Sequence, residues 1–446
     1  MPGVPTTPDL TTDPRPVYVI GAGPGGLAAA AALRARGIRA VVVEKTDTVG
    51  SSWRGHYDRL HLHTTRRLSA LPGLAIPRRF GRWVSRDNVV RYLEKYAEFH
   101  ELELVTGVEV TRIERAPHTD STKDNETETD TSTDAKHQTE RTRTTKAGSP
   151  DSDAWLLHAT GGRVLTGRAV VVATGFNHTP VVPDWPGRDT YGGQLLHARD
   201  YRNPEPYTGL DVLVVGVGNT GAEIAVDLAE GGAARVRLAV RTAPHIVHRS
   251  TAGWPAQRSG ILVRRLPVPL VDRLGALIAK ASVPDLSAHG LPRPATGLYS
   301  RVKQGAIPVQ DVGLIDAVRA GRVEPVAAVD SFDAAEVVLA DGSRITPDVV
   351  IAATGYRRAL EGLVGHLDVL DERGRPRAHG ARTLPHTPGL HFTGFGNPIS
   401  GMFREMARDA EKIAKVVARR LGVRPGALER DEALPDTGLR PVDPLA

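Results

Sequence analysis

Two glycine-rich stretches carry the most legible chemistry in this chain. Gly21-Ala22-Gly23-Pro24-Gly25-Gly26 and Gly216-Val217-Gly218-Asn219-Thr220-Gly221 both follow the spacing Gly-x-Gly-x-x-Gly. In such a loop the first glycine permits a tight turn, the second lets backbone N–H groups approach a pyrophosphate, and the third lets a helix pack closely on a strand. The helix N-terminus favours the added negative charge. Residues about 20 positions further on separate the two loops chemically. After the first stands Glu44, an acid placed to take a ribose hydroxyl pair; after the second stands Arg241. A carboxylate there would repel a 2′-phosphate, whereas a guanidinium grips one through charge-assisted hydrogen bonds worth about 1.5–3 kcal/mol each. The two loops predict two different dinucleotides, FAD at the first and NADPH at the second.

Each loop needs a strand before it and a helix after it. Val17-Tyr18-Val19-Ile20 is a short apolar run, residues 27–33 are alanine and leucine, and a second apolar run over 40–43 ends at Glu44. Alanine and leucine are strong helix formers, so this reads as one βαβ unit. The second unit repeats the plan, with an apolar run over 212–215, a helix over 222–229 and a strand over 234–240. A third segment, Asp348-Val349-Val350-Ile351 leading into Ala353-Thr354-Gly355-Tyr356, echoes Val171-Val172-Ala173-Thr174-Gly175-Phe176. The echo suggests a return to the first domain. The predicted fold is α/β, with two dinucleotide-binding (Rossmann-like) domains and the NADPH domain inserted into the FAD domain. The expected boundaries are a disordered N-terminus over 1–15, the first part of the FAD domain over 16–180, the NADPH domain over 181–340, the second part of the FAD domain over 341–421, and a tail over 422–446.

Composition excludes several classes. With no cysteine in 446 residues, the chain has no disulfide framework, thiolate nucleophile, redox dithiol or Cys-ligated cluster. A net charge of +6 suits phosphate-bearing ligands without requiring nucleic acid. No stretch reaches the roughly 18 apolar residues of a membrane span, and the Pro/Thr/Asp-rich start lacks the apolar core of a signal peptide, so a cytoplasmic location is expected. Residues 118–153 hold Thr, Asp, Glu, Ser and Lys with no large apolar side chain, and read as a disordered surface insertion between two strands. Residues 261–283 become amphipathic and helical from Leu270 onward. That segment suits domain packing or a lid over a substrate entrance, with a membrane surface as the alternative.

Further motifs narrow the class. Tyr191-Gly192-Gly193-Gln194-Leu195-Leu196-His197-Ala198-Arg199-Asp200-Tyr201 has the spacing FxGxxxHxxxY with a leading Tyr, and resembles the fingerprint of flavin-containing monooxygenases. His197 reads there as a linker or hinge residue. The chain is most similar to the YUCCA-type and related bacterial branch. Tyr57-Asp58-Arg59-Leu60-His61-Leu62-His63 resembles its YDRLxLH segment, Ala173-Thr174-Gly175 its first linker, and Val240-Arg241 with His245 and Arg249 its VRxxxHxxxR stretch. His289-Gly290-Leu291-Pro292-Arg293-Pro294 and Pro308-Val309-Gln310-Asp311-Val312-Gly313 resemble two further stretches, and Ser51-Ser52-Trp53-Arg54 its GGxW turn. The resemblance runs from about 16 to 420, outside the polar insertion. It departs from the branch at Leu68-Ser69-Ala70-Leu71-Pro72, where a Cys-containing stretch is usual, and at Thr64-Thr65, where mammalian-type members carry an Asn.

The resemblance implies an FAD- and NADPH-dependent monooxygenase. Reduced flavin would capture O₂ as a C4a-(hydro)peroxyflavin and oxygenate a small organic substrate, by N- or S-oxygenation or by oxidative decarboxylation of an aryl-2-oxo acid. The flavin carries that chemistry, so no catalytic side chain is singled out. The candidate FAD-binding residues are Gly21, Gly23, Pro24, Gly25, Gly26, Glu44, Lys45, Ser52, Trp53, His63, Val110, Ala173, Thr174 and Gly175. Those for NADPH are Gly216, Gly218, Asn219, Thr220, Gly221 and Arg241. His56, His61 and His63 do not suggest a metal site. Two other activities fit the same plan: a Baeyer–Villiger monooxygenase acting on a ketone, and a non-catalytic redox flavoprotein.

Overall fold

The computed structural model describes residues 14–117, 154–251, 254–263 and 266–423. Two five-stranded parallel sheets organise it. The first runs Leu390–Phe392, Ala169–Val172, Val17–Ile20, Ala40–Val43, Glu103–Val105. The second runs Glu324–Ala327, Arg235–Val240, Asp211–Val215, Val349–Ala352, Gln194–His197. Parallel strands buried on both faces read as continuous apolar runs, as Ala169–Val172 and Val349–Ala352 do, every residue of both being buried.

In each sheet the strand before a glycine loop feeds a helix, Pro24–Arg34 in the first and Asn219–Glu230 in the second. The first helix is built of alanine and leucine because it is enclosed: residues 27–33 are at most 8% exposed. The C-terminal helix Met402–Arg420 covers it with Ala410, Ile413, Ala414 and Val417, and the helix Arg86–Phe99 adds Tyr92, Leu93 and Tyr96 to the same core. Small side chains let these backbones approach one another.

The expected boundary at 340/341 moves. Val349–Ala352 lies beside Asp211–Val215, with Val212 opposite Val349, so it completes the second sheet and does not return to the first. A duplicated plan is the reason for the echo. In the first half an antiparallel three-stranded meander (Val110–Arg115, Trp155–Ala159, Arg163–Gly167) precedes Ala169–Val172. In the second half a matching meander (Val329–Asp333, Glu336–Leu339, Arg344–Ile345) precedes Val349–Ala352. The repeated Ala-Thr-Gly marks equivalent positions in two copies of one design. The chain crosses back only after Gly355, where Tyr356–Arg357 pairs with Thr179–Pro180.

The 118–153 insertion lies outside the described residues, as do 1–13 and 424–446; the hairpin it interrupts, Val110–Arg115 with Trp155–Ala159, is present as expected. Residues 261–283 span the end of a helix, Ala256–Val263, and a second helix, Val268–Ser282. Domain packing does not account for the second: Val271 is its buried residue, while Leu270, Leu274, Leu277 and Ile278 are 46–66% exposed.

Candidate functional site

The two glycine loops are built alike. Gly21 and Gly216 adopt positive φ, +104° and +107°, that a side chain would strain. A Cβ on Gly21 would meet the Ala173 carbonyl at 2.6 Å, and one on Gly216 the Ala353 carbonyl at 2.8 Å, so each loop abuts its own Ala-Thr-Gly linker. A Cβ on Gly26 would lie 1.9 Å from the Gly21 carbonyl oxygen, and one on Gly221 the same distance from that of Gly216. Gly23 and Gly218, by contrast, face open space. Neither helix start has a capping side chain, which leaves its first N–H groups available to an anion.

A cavity of about 830 Å³ lies between the halves. Of the sequence-predicted residues, its wall holds Gly21, Gly23, Pro24, Gly25, Glu44, Lys45, Ser52, Trp53, His63, Val110, Ala173, Thr174 and Gly175 from the first half, with Asn219 and Thr220 from the second. Gly26 and Gly221 serve the helix–loop packing behind it. Gly216 and Gly218 sit on the second loop away from this wall, and Arg241 is exposed just past the end of the strand Arg235–Val240.

Glu44 is 6% exposed and accepts hydrogen bonds from the Ala22 N–H (2.7 Å) and from the Thr46 N–H and hydroxyl (3.1 and 2.9 Å). Its carboxylate thus ties the strand end to the glycine loop while lining the cavity. Lys45 Nζ lies 3.1 Å from His178 Nε2. The Thr174 hydroxyl is buried without a hydrogen-bond partner, an unmet polar group of the kind a cofactor satisfies. Trp53 packs edge-on against His56 and Phe403. Burial first, with Arg202 and Arg86 adding to it, pulls the His56 imidazole down to about 4. Open glycine faces, uncapped helix starts and the orphaned Thr174 fit FAD and NADPH.

The fingerprint residues act as fasteners. His197 Nε2 sits 3.1 Å from the Gly355 carbonyl, its Nδ1 accepts the Arg199 N–H, and Tyr201 donates to Asp227 at 2.8 Å. The Tyr57–His63 stretch has a second face. Tyr57 donates to Glu223 Oε2 at 2.9 Å, His63 Nε2 lies 3.0 Å from Glu223 Oε1, and Arg59 pairs with Asp227 and Glu230. Glu223, Asp227 and Glu230 follow i, i+4, i+7 spacing on the helix Asn219–Glu230, so one stripe receives a strip of the first half.

Sequence reasoning missed that stripe, although its helical spacing was legible. It also missed the segment after Leu390–Phe392, where Thr393, Gly394, Asn397, Ile399, Met402 and Phe403 line the cavity. An apolar strand followed by Gly394-Phe395-Gly396 was the available signal. Gln257 was missed with no local signal: it is 4% exposed, accepts the Thr65 N–H (3.1 Å) and donates to the Ser400 carbonyl (2.6 Å), pinning the helix Ala256–Val263 beside the cavity.

Comparison with known proteins agrees with this architecture. The flavin-binding monooxygenase-like family matches residues 162–366, and the pyridine nucleotide-disulphide oxidoreductase family residues 15–253. Indole-3-pyruvate monooxygenase YUCCA1 of Oryza sativa subsp. japonica is 36% identical over 342 residues, 76% of each chain. The probable indole-3-pyruvate monooxygenase YUCCA3 of Arabidopsis thaliana is 31% identical, covering 90% of this chain and 86% of its own. Among solved structures, cyclohexanone monooxygenase from Rhodococcus sp. Phi1 bound to NADP⁺ shares the fold with a TM-score of 0.64 at 20% identity, over 91% of this chain and 85% of that one. A flavin-containing monooxygenase from Stenotrophomonas maltophilia gives 0.61 at 21% identity, over 91% and 99%. The chain is an FAD- and NADPH-dependent monooxygenase, and no helix among the described residues is long and apolar enough to cross a membrane. By its identity to the plant enzymes over three quarters of its length, it belongs to the flavin-binding monooxygenase-like family, among the YUCCA-type members.

Proposed function

We propose that the substrate is an aryl-2-oxo acid, which the enzyme oxidatively decarboxylates. The balance is one 2-oxo acid, O₂, NADPH and H⁺ going to the carboxylic acid one carbon shorter, CO₂, NADP⁺ and water. The supporting observation is the 36% identity to an indole-3-pyruvate monooxygenase over most of the chain. The cavity's character agrees with it: Trp53, Leu62, Ile399, Met402, Phe403 and Met406 offer apolar and aromatic surface to a planar ring.

Bound FAD and NADPH supply the redox chemistry with dioxygen. The chain's own residues bind, orient and exclude water. The first loop, Glu44 and Thr174 would hold FAD, and the second loop with Arg241 would hold NADPH. Asn219 is fixed for this by Pro308 and Gln310, donating to the carbonyl of one (3.3 Å) and accepting the N–H of the other (2.7 Å). Gln257 would hold its helix to the backbone at Thr65 and Ser400, next to the wall residues Thr64, Ile399 and Gly401, limiting water entry.

The test is reduction of the FAD-loaded protein by NADPH without oxygen, followed by ¹⁸O₂ and indole-3-pyruvate. Mass spectrometry should find the shortened acid carrying one ¹⁸O atom. Oxygenated amines or sulfides with no turnover of 2-oxo acids would overturn the substrate assignment, and an ester made from a ketone would replace it with Baeyer–Villiger chemistry.

A further inference from the structure

Seven of the eleven large apolar side chains exposed among the described residues fall in one short stretch: Trp254, Leu262, Leu266, Leu270, Leu274, Leu277 and Ile278, at 42–75%. Scattered singly, such residues need no explanation; gathered in one place they mark a surface that meets something. Charge gathers there too. Residues 249–283 hold six Arg and Lys against one acid, Asp272, a net +5 in a chain whose whole net charge is +6. Asp272 is turned inward, where it accepts the Tyr299 N–H (2.6 Å) and the Ser300 hydroxyl (2.5 Å), so it sets no negative charge against the exposed side.

The helix Val268–Ser282 shows how the two features are arranged. Leu270, Leu274, Leu277 and Ile278 follow i, i+4, i+7, i+8 and make one exposed stripe, while Val271 and Asp272 fix the helix to the protein. Arg273 and Lys280, each three residues after a leucine of the stripe, are exposed along one edge of it. Leucines edged by long cationic side chains suit a helix lying in the plane of a membrane surface. The leucines enter the acyl boundary, and the cations reach the headgroup phosphates. With 15 residues the helix is about 22 Å long, too short for the roughly 30 Å hydrocarbon core, so it rests on a bilayer and does not cross it.

We propose that the helix Val268–Ser282 seats the enzyme on an anionic lipid bilayer. Charge selects this occupant. A second copy of the chain would bring two such cationic faces together. Nucleic acid would pair the arginines and leave the leucines in water. The acidic insertion over 118–153 has no large apolar side chain to cover them. The seat also adjoins the cavity. Asp272 is bonded to the helix Leu298–Lys303, whose Val302 lines the wall, and Ile307 lines it while 49% exposed, as a rim residue does. Docking therefore sets the rim beside the interface, where amphipathic aromatic molecules concentrate. The inference stands on the surface alone and holds whichever substrate the site oxidises.

The experiment is co-sedimentation of the FAD-loaded protein with vesicles of phosphatidylcholine alone or mixed equally with phosphatidylglycerol. The wild type should sediment with the mixed vesicles, far less with the neutral ones, and should be released by high salt. Each cation near the surface is worth about five-fold in affinity, so the double variant R273Q/K280Q should bind about 25-fold more weakly. The double variant L274E/L277E should lose on the order of a hundred-fold. None of these four residues lines the cavity. Both variants should therefore keep the FAD content, Tm and vesicle-free turnover of the wild type, which separates loss of docking from loss of fold. Binding that survives in L274E/L277E, or that is equal on neutral vesicles, overturns the proposal. So does a wild type that ignores both kinds of vesicle, or one that self-associates without them through a contact that L274E/L277E breaks.

Discussion

Replacing Arg241 with alanine tests how the second loop chooses its dinucleotide. Arg241 stands exposed just past the strand Arg235–Val240 and enters no ion pair among the described residues, so a bound 2′-phosphate would not have to break one. A guanidinium–phosphate hydrogen bond is worth about 1.5–3 kcal/mol, and the exposed setting puts this one at the lower end. At 1.4 kcal/mol per factor of ten, the loss weakens NADPH roughly ten- to thirty-fold. NADH has no 2′-phosphate and should be affected less than about two-fold, a difference below about 0.5 kcal/mol. The assay is the concentration dependence of anaerobic flavin reduction with each dinucleotide at one fixed ionic strength, because salt screens an exposed contact. Equal weakening of NADPH and NADH would show that Arg241 supports the loop without reading the phosphate.

Three further outcomes are expected. Gly26→Ala places a Cβ 1.9 Å from the Gly21 carbonyl oxygen, where carbon and oxygen normally stand about 3.3 Å apart or more, so helix and loop must separate. The cost is about 3 kcal/mol, and the variant should purify with little FAD and a lowered Tm; full FAD with an unchanged Tm would contradict the packing described. Gln257→Ala leaves the Thr65 N–H and the Ser400 carbonyl without their partner, at about 1–3 kcal/mol each, and should raise KM for the substrate while FAD content stays normal. Unchanged KM and unchanged protease sensitivity in that helix would count against the pin. Finally, burial pulls His56 and His391 down to about 4 from an ordinary 6.5. The unfolded chain takes up those protons first as pH falls, so stability is full above 6.5 and lost between 6.5 and 4, by about 2–3 kcal/mol for each histidine. Thermal melts should show the loss, with H391Q reducing it; a Tm flat over that window would refute the assignment.

The sequence made legible what depends on short-range pattern. Both glycine loops, their strands and helices, Glu44 and the interrupted hairpin were readable because turn chemistry and strand periodicity are local. The boundary after residue 340 was not, because an internal duplication makes equivalent segments look like continuations of one another, and hydrogen-bond partnership alone tells Val349–Ala352 from a strand of the first sheet. Gln257 and the cavity wall near Ile399 meet only through tertiary packing, and no spacing rule joins residues so distant. Glu223, Asp227 and Glu230 lie between these cases: their shared helix face was visible, but its partners were not. The exposed leucines of Val268–Ser282 show the same limit, since amphipathic spacing names an apolar face without naming what it meets.

Two stretches of backbone cross between the halves, and they are knitted together. Thr179–Pro180 runs antiparallel to Tyr356–Arg357, the Val181 N–H donates to the Gly355 carbonyl at 3.0 Å, and the Thr354 hydroxyl donates to the Val181 carbonyl. A lone tether would permit swivelling in every direction, whereas a paired ribbon is stiff along its width and bends chiefly across its thin dimension. Relative movement of the halves is thereby reduced to one principal axis. Because each crossing begins at the very linker that braces a glycine loop, any flexing of that axis reaches both nucleotide cradles at once.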